Sequence, residues 1–248
     1  MIGSKPAASP GGRRPPVPPG LVGDVPCAVW TALGTVRDPE LDEAITSLGF
    51  VASCSVSAGG AVEVRLRLPT YFCAPNFAYL MVADAFDALF AVPGVCSVEV
   101  VLEDHFAAEA INSGVAARAG FARSFPGEAR GELDSLRADF LRKAVLAGTD
   151  QVCRSLDADA ERLSALTLGD VPPSAELDRL RERRASLGLP CGDDDPLVID
   201  PVSGLGVAVA DLPLHLRRAR VTRVGIEANT SICSGMFRHR YPAKEDSR

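Results

Sequence analysis

The sequence predicts an α+β fold: a small helix–strand–strand–helix–strand domain with a mixed sheet, followed by a mainly helical extension that ends in a short β segment. Three observations carry this. Between residues 50 and 102, three short segments alternate apolar and polar residues, as strands with one wet face do. The run "APNFAYLMVADAFDALF" lies between the second and third, so those two strands enclose a helix and run parallel through a right-handed crossover. After Glu103 strand signals cease for about ninety residues and helical spacing takes over.

The elements follow in order. Residues 1–23 hold six prolines, five glycines and no acid, too little apolar surface to offset the entropy of ordering, and read as a disordered tail. In "DVPCAVWTALGTVRD", Pro26 sits just inside a helix start and Val25, Val29, Trp30, Leu33 and Val36 recur near helical spacing. Asp38-Pro39 stops this helix, Asp38 caps a following helical step, and Gly49 closes the turn into the first strand. "FVASCSVS" puts Phe50, Ala52, Cys54 and Val56 on one face, and "AGG" makes the turn. "AVEVRLRL" turns Val62, Val64, Leu66 and Leu68 inward, and "PGVCSVEVVL" does so with Cys96, Val98, Val100 and Leu102. The first domain thus spans 24–105 and the extension 106–248. Within the extension, "ELDSLRADFLRKAVL" aligns Leu133, Leu136, Phe140 and Ala144 on a helix face. Ser174 caps and Gly188 ends a charged helix, and "LVID" with "GVAVAD" reads as a short hairpin. For "HLRRARVTRVGIEAN" periodicity does not choose between helix and strand.

The bulk numbers exclude several function classes. A formal net charge of −6 opposes general nucleic-acid binding, which needs a basic face. No segment approaches the apolar length that spans a bilayer, and the N-terminus lacks the apolar core of a secretory signal, so a cytoplasmic protein is expected. Seven cysteines, odd in number and without a CxxC, do not make a disulfide framework and read as free thiols, ligands or small core residues.

Cys73 stands apart from the others. In "TYFCAPNF" Pro75 suits the first helical position, with Asn76 as a cap one step later, so Cys73 borders the unpaired amides of a helix start. Their partial positive charge favours thiolate, the form that ligates metal. Cys54 and Cys96 read as inward strand residues, and Cys27 and Cys153 as helical ones. Cys191 and Cys233 fall in polar surroundings, with Cys233 six residues before His239. That spacing is no zinc finger, but joined to Cys73 across the fold or across a dimer these residues complete a four-donor set. His105, beside Asp104, is a candidate base for Cys73 in a cysteine-enzyme reading. "GLGVAVA" lacks the βαβ context of a dinucleotide site. Arg217, Arg218, Arg220 and Arg223 read as a solvated basic face.

Taken in order, "VWTALGTVRDPEL", "ITSLGFV", "VRLRLPTYFCAP" and "VPGVCSVEVVL" resemble the small assembly-factor domain of the SufT and PaaD proteins, also found in eukaryotic cytosolic iron–sulfur targeting factors. The resemblance covers 24–105 and implies a mixed-sheet α+β domain that serves the maturation of metal–sulfur proteins. On it, Cys73 takes the place of the family's reactive cysteine, and Asp38, Pro39 and Glu40 that of its acidic motif. Two departures stand out: Ala74 intervenes before Pro75, and "EDHFAAEAINSG" replaces the segment usual after the last strand. The implied role is a non-enzymatic accessory factor that holds iron or an iron–sulfur cluster transiently at Cys73, or touches its client with that thiol. The implied partner is a client apo-metalloprotein, with a homodimer left open and neither nucleic acid nor membrane involved. The "TYFCAPNFAYLMVADAFDAL" form with its extension also looks like variants encoded beside bacterial di-iron hydrocarbon monooxygenases, making a monooxygenase component the narrower client. A non-metal scaffold for such an oxygenase and a cysteine-dependent enzyme are the alternatives.

Overall fold

The structure is a computed structural model that describes residues 24–127, 129 and 133–242; the tail expected over 1–23 lies outside the described residues. Helix α1 (Asp24–Leu33) turns Val29, Trp30 and Leu33 into the core. Pro26 sits in its first turn, where a missing amide costs no helical bond. Strand β1 (Val51–Val56) pairs antiparallel with β2 (Ala61–Leu66). Helix α2 (Pro75–Phe90) crosses over to β3 (Ser97–Leu102), which runs parallel to β2. The sheet order β1-β2-β3 is the mixed sheet the alternation predicts. At the β1–β2 turn Gly60 has φ +78, and a Cβ there would stand 2.3 Å from the carbonyl oxygen of Gly94. Only glycine lets these two turns meet so closely.

Three details differ from the expectation. Residues 38–49 form turns rather than a helix, tied by an isolated bridge between Arg37 and Ala44, with Asp42 left-handed at φ 53. A register shift between Val51 and Ser53 rotates Ala52 out to solvent. Cys96 is exposed because β3 starts one residue later, and its amide is spent on Gly60 at the turn.

Helices α3 (Ala108–Ala116) and α4 (Phe121–Ser124) close this first core, to which Ile111, Val115 and Phe125 belong. The Asn112 amide continues the sheet edge, donating to the Leu102 carbonyl and accepting its N–H. A second core gathers Val145, Leu168, Leu180, Leu197 and Leu212. Around it stand α5 (Asp134–Arg154), α6 (Ala160–Ala165), α7 (Ala175–Ser186) and α8 (Leu212–Arg240). The Ser174 hydroxyl caps α7 as expected, and Gly188 follows its end with φ +66. The short β segment is a single bridge, Ile199 to Gly206, around a turn whose amides bond Asp200.

The stretch that periodicity leaves undecided is part of α8, 29 residues long and therefore about 43 Å from end to end. One continuous stripe of α8 faces inward. Leu212, His215, Ala219 and Arg223 are buried, and Ile226, Thr230, Cys233, Phe237 and Arg240 are half-buried. The first half lies on the extension and the second half on the sheet domain, so α8 staples the two together. Arg223 is thus no solvated cation: it is buried and ion-paired with Asp150 and Glu227.

Candidate functional site

Cys73 sits two residues before the first turn of α2, half-buried, in the loop that leaves β2. Pro75 takes the first helical position as expected, but the cap position falls to Ala74, and Asn76 is already helical. The thiol lies 3.4 Å from the Thr70 hydroxyl, one loop turn back. Its backbone is fixed from the other side: His105 Nε2 stands 2.7 Å from the Cys73 carbonyl, while His105 Nδ1 accepts the Ala107 amide at 3.2 Å. With Nδ1 accepting, the ring proton resides on Nε2 and is donated to the carbonyl. Burial, more than its neighbour Arg240, holds the His105 pKa below the usual value and keeps the ring neutral. The imidazole therefore positions the Cys73 backbone, and both of its ring nitrogens are engaged with backbone groups rather than with the thiol.

Beside the Cys73 loop lies an apolar patch. Tyr71, Phe72 and Phe106 are all exposed, Phe72 by 76%, with ring centroids 5.0 to 6.3 Å apart. Three aromatic rings left in water beside one loop are unusual for a surface without a partner.

Asp38 is buried and caps a turn, not a helix: its Oδ1 accepts the amides of Glu40 and Leu41, both at 2.9 Å. Burial raises its pKa against those two amide bonds. The acidic turn is gripped from the extension by three contacts. Asp42 is ion-paired with buried Arg183, Glu43 faces Arg179 at 3.9 Å, and Glu40 accepts a bond from Asn229 at 3.3 Å. Between this turn and the extension lies a cavity of about 330 Å³ bordered by Asp38, Asp84, Arg137 and Arg183.

The structure brings together some of the expected site residues and separates others. Cys233 reaches the same core as Cys73, and burial, then Asp38, Cys73 and Glu40, push its thiol up to about 11. His239 is exposed: six residues on, it lies a third of a turn around α8 from Cys233. Cys191 belongs to the loop of the second core, where its carbonyl accepts from Arg181. The proposed four-donor set is therefore not assembled within the chain, and among the described residues no three His, Cys, Asp or Glu side chains converge on a metal position. Cys54 is half-buried with its thiol pushed up to about 11, and Cys153 is buried in α5 with its thiol at about 12, both chiefly by burial. Asn229, Phe237 and Arg240 are site neighbours that the sequence did not mark, whereas Thr70 belongs to the Thr-x-x-Cys spacing that helps carry the resemblance.

Residues 27–100 match the family model described as iron–sulfur cluster assembly protein. An iron–sulfur cluster carrier protein of Mycobacterium leprae (strain TN) is 39% identical over 80 residues, 32% of this chain and 20% of that protein. A protein of the same description from Mycobacterium bovis (strain ATCC BAA-935 / AF2122/97) is 37% identical over 81 residues, 33% of this chain and 21% of its own length. The chain spans about a fifth of these relatives. No solved structure matches it. Among the described residues no helix is long and apolar enough to cross a membrane.

Proposed function

We propose that this chain is an accessory factor of iron–sulfur cluster assembly, which holds iron or a cluster at Cys73 and passes it to a client apo-metalloprotein. The match of 27–100 and the carrier function named for the two relatives support the assembly role. The observation that carries the site is the Cys73 loop itself. Its cysteine is half-buried, its backbone is clamped by a neutral buried histidine, and three exposed aromatic rings adjoin the loop. Rigid backbone with an accessible sulfur suits a ligand that must bind cargo and then release it. The aromatic patch gives a client an apolar footing next to the cargo. A di-iron monooxygenase component is the client class that the narrower resemblance points to, with the extension as the part that selects it.

The test is anaerobic reconstitution with iron and sulfide, followed by transfer to an apo-ferredoxin. Wild-type protein should acquire a visible charge-transfer spectrum and lose it on transfer. Cys73→Ser should keep its thermal midpoint and acquire no spectrum, because a serine hydroxyl does not ionise near neutrality. A folded Cys73→Ser protein that reconstitutes and transfers as well as wild type would remove the cysteine from the mechanism and favour the scaffold reading.

A further inference from the structure

The C-terminal helix meets the sheet domain at the acidic turn, at Phe50 and on both flanks of the Cys73 loop, and the contacts are specific. Asn229 bonds Glu40 of the acidic turn. Two turns on, Phe237 packs at a tilt against Phe50 with centroids 5.3 Å apart. Arg240 donates to the carbonyls of Leu68 at 3.2 Å and Asp104 at 2.6 Å, and Tyr241 donates to the Asp104 carboxylate at 3.0 Å. Leu68 begins the loop to Cys73, and Asp104 precedes the histidine that holds the Cys73 carbonyl. The helix therefore brackets the cysteine loop on both flanks. Cys233 stands between the Asn229 and Phe237 contacts, four residues from each, which on a helix is the same inward face. Both cysteines are half-buried and pack on the same core.

We propose that Cys233 is the second thiol of a bipartite site with Cys73, one sulfur from the assembly domain and one from the extension, taking a thiophilic cation. This rests on the reading that Cys73 holds cargo, and it names the partner ligand for that site. Two protein thiolates are the complement of one iron in a [2Fe–2S] cluster, whose other iron takes its ligands elsewhere. Such a half-filled site fits transfer better than a closed cage: a client supplies the remaining ligands without first displacing four. Since the second sulfur rides on α8, displacement of the end of that helix by a client would take one ligand away and loosen the cargo.

The experiment uses full-length protein in which the exposed Cys27 and Cys96 are replaced by serine, titrated anaerobically with cobalt(II) alone. The thiolate-to-cobalt charge-transfer band grows with the number of sulfur ligands. Expected are a saturable band, its near-total loss in Cys73→Ser, and about half the intensity with roughly tenfold or more weaker binding in Cys233→Ser. Cys233→Ala, which adds no hydroxyl to the half-buried face, should give the same result, with thermal midpoints reporting the fold of both variants. An unchanged band in both folded Cys233 variants, with loss in Cys73→Ser, overturns the bipartite site and leaves Cys73 as the cargo ligand. No band in the parent protein, or one that survives Cys73→Ser, overturns the reading of Cys73 and the bipartite site with it.

Discussion

The sheet domain and the helical extension bury different chemistry. In the first, the largest fully buried side chains are hydrocarbon: Phe50, Leu33, Ile45, Leu66 and Leu102. In the second, the largest is Arg184, with none of its surface exposed, and Arg183, Arg223, Asp150 and His215 are buried as well. Arg184 takes the role that a strand would otherwise have, donating to the carbonyls of Pro196 and Leu197 and so fixing the loop after α7. Arg181 adds bonds to the carbonyls of Leu168 and Cys191 and an ion pair with Asp193. Non-directional burial tolerates a change of side-chain shape, whereas a planar fork that answers several carbonyls does not. The extension is therefore expected to be the more brittle half, and the acid turn it grips inherits that brittleness.

The largest effect should come from Arg184→Ala, which leaves buried carbonyls unanswered and a cavity behind, costing roughly 3–5 kcal/mol in urea unfolding. Arg184→Lys should recover less than half of this, since an ammonium cannot fork, whereas Leu66→Met in the sheet domain should cost under about 1.5 kcal/mol. Equal costs for those two conservative changes would break the comparison.

Asp42→Ala should come next, at about 3 kcal/mol, because it strands the buried Arg183. It should also uncouple the halves. The single tryptophan, Trp30, lies in the first core, and most helix lies in the extension. Fluorescence and far-ultraviolet circular dichroism should give coincident transitions in the parent and separate ones in the variant.

Phe237→Ala should be milder, about 1–2 kcal/mol for a half-buried ring, and should free the end of α8. Amide exchange should speed up over residues 229–240 while β2 and β3 remain protected. Equal protection throughout would mean that the polar contacts of Asn229 and Arg240 suffice.

The smallest effect is on pH. Burial, the leading cause for each, depresses the pKa of His105 in the sheet domain and of His215 in the extension. Each folded form thus binds a proton less readily than the unfolded chain. Their stabilisation is complete above about pH 6.5 and is lost as pH falls from there through the folded pKa values. Asp38, raised mainly by burial, works in the opposite sense at lower pH. Urea midpoints should fall modestly between pH 7.5 and 5.5, and His105→Gln should flatten that slope without abolishing it, since His215 remains.

The local part of this fold was legible in the chain. The alternation in "AVEVRLRL" made β2, the apolar run after Pro75 made α2, and together they imposed a parallel β2–β3 pair. The placement of Cys73 ahead of a helix start followed from the same residues. Locality also explains the misses around them: a register shift at Ala52 and the late start of β3 at Cys96 depend on the partner strand.

Tertiary structure alone decided what α8 does. Its inward stripe carries His215, Arg223, Thr230 and Arg240, while Leu214, Val221, Val224 and Ile232 lie exposed on other faces, so no apolar period marks it as a helix. The burial of its arginine is set by Asp150, 73 residues away, and its docking by Glu40, 189 residues from Asn229. The sequence by itself determined one thiol at a helix start; the docking of the Cys233 face of α8 on the core that Cys73 also packs against arises from partners that no local pattern encodes, because a buried ion pair or a cross-chain hydrogen bond specifies its position only once both ends have been folded together.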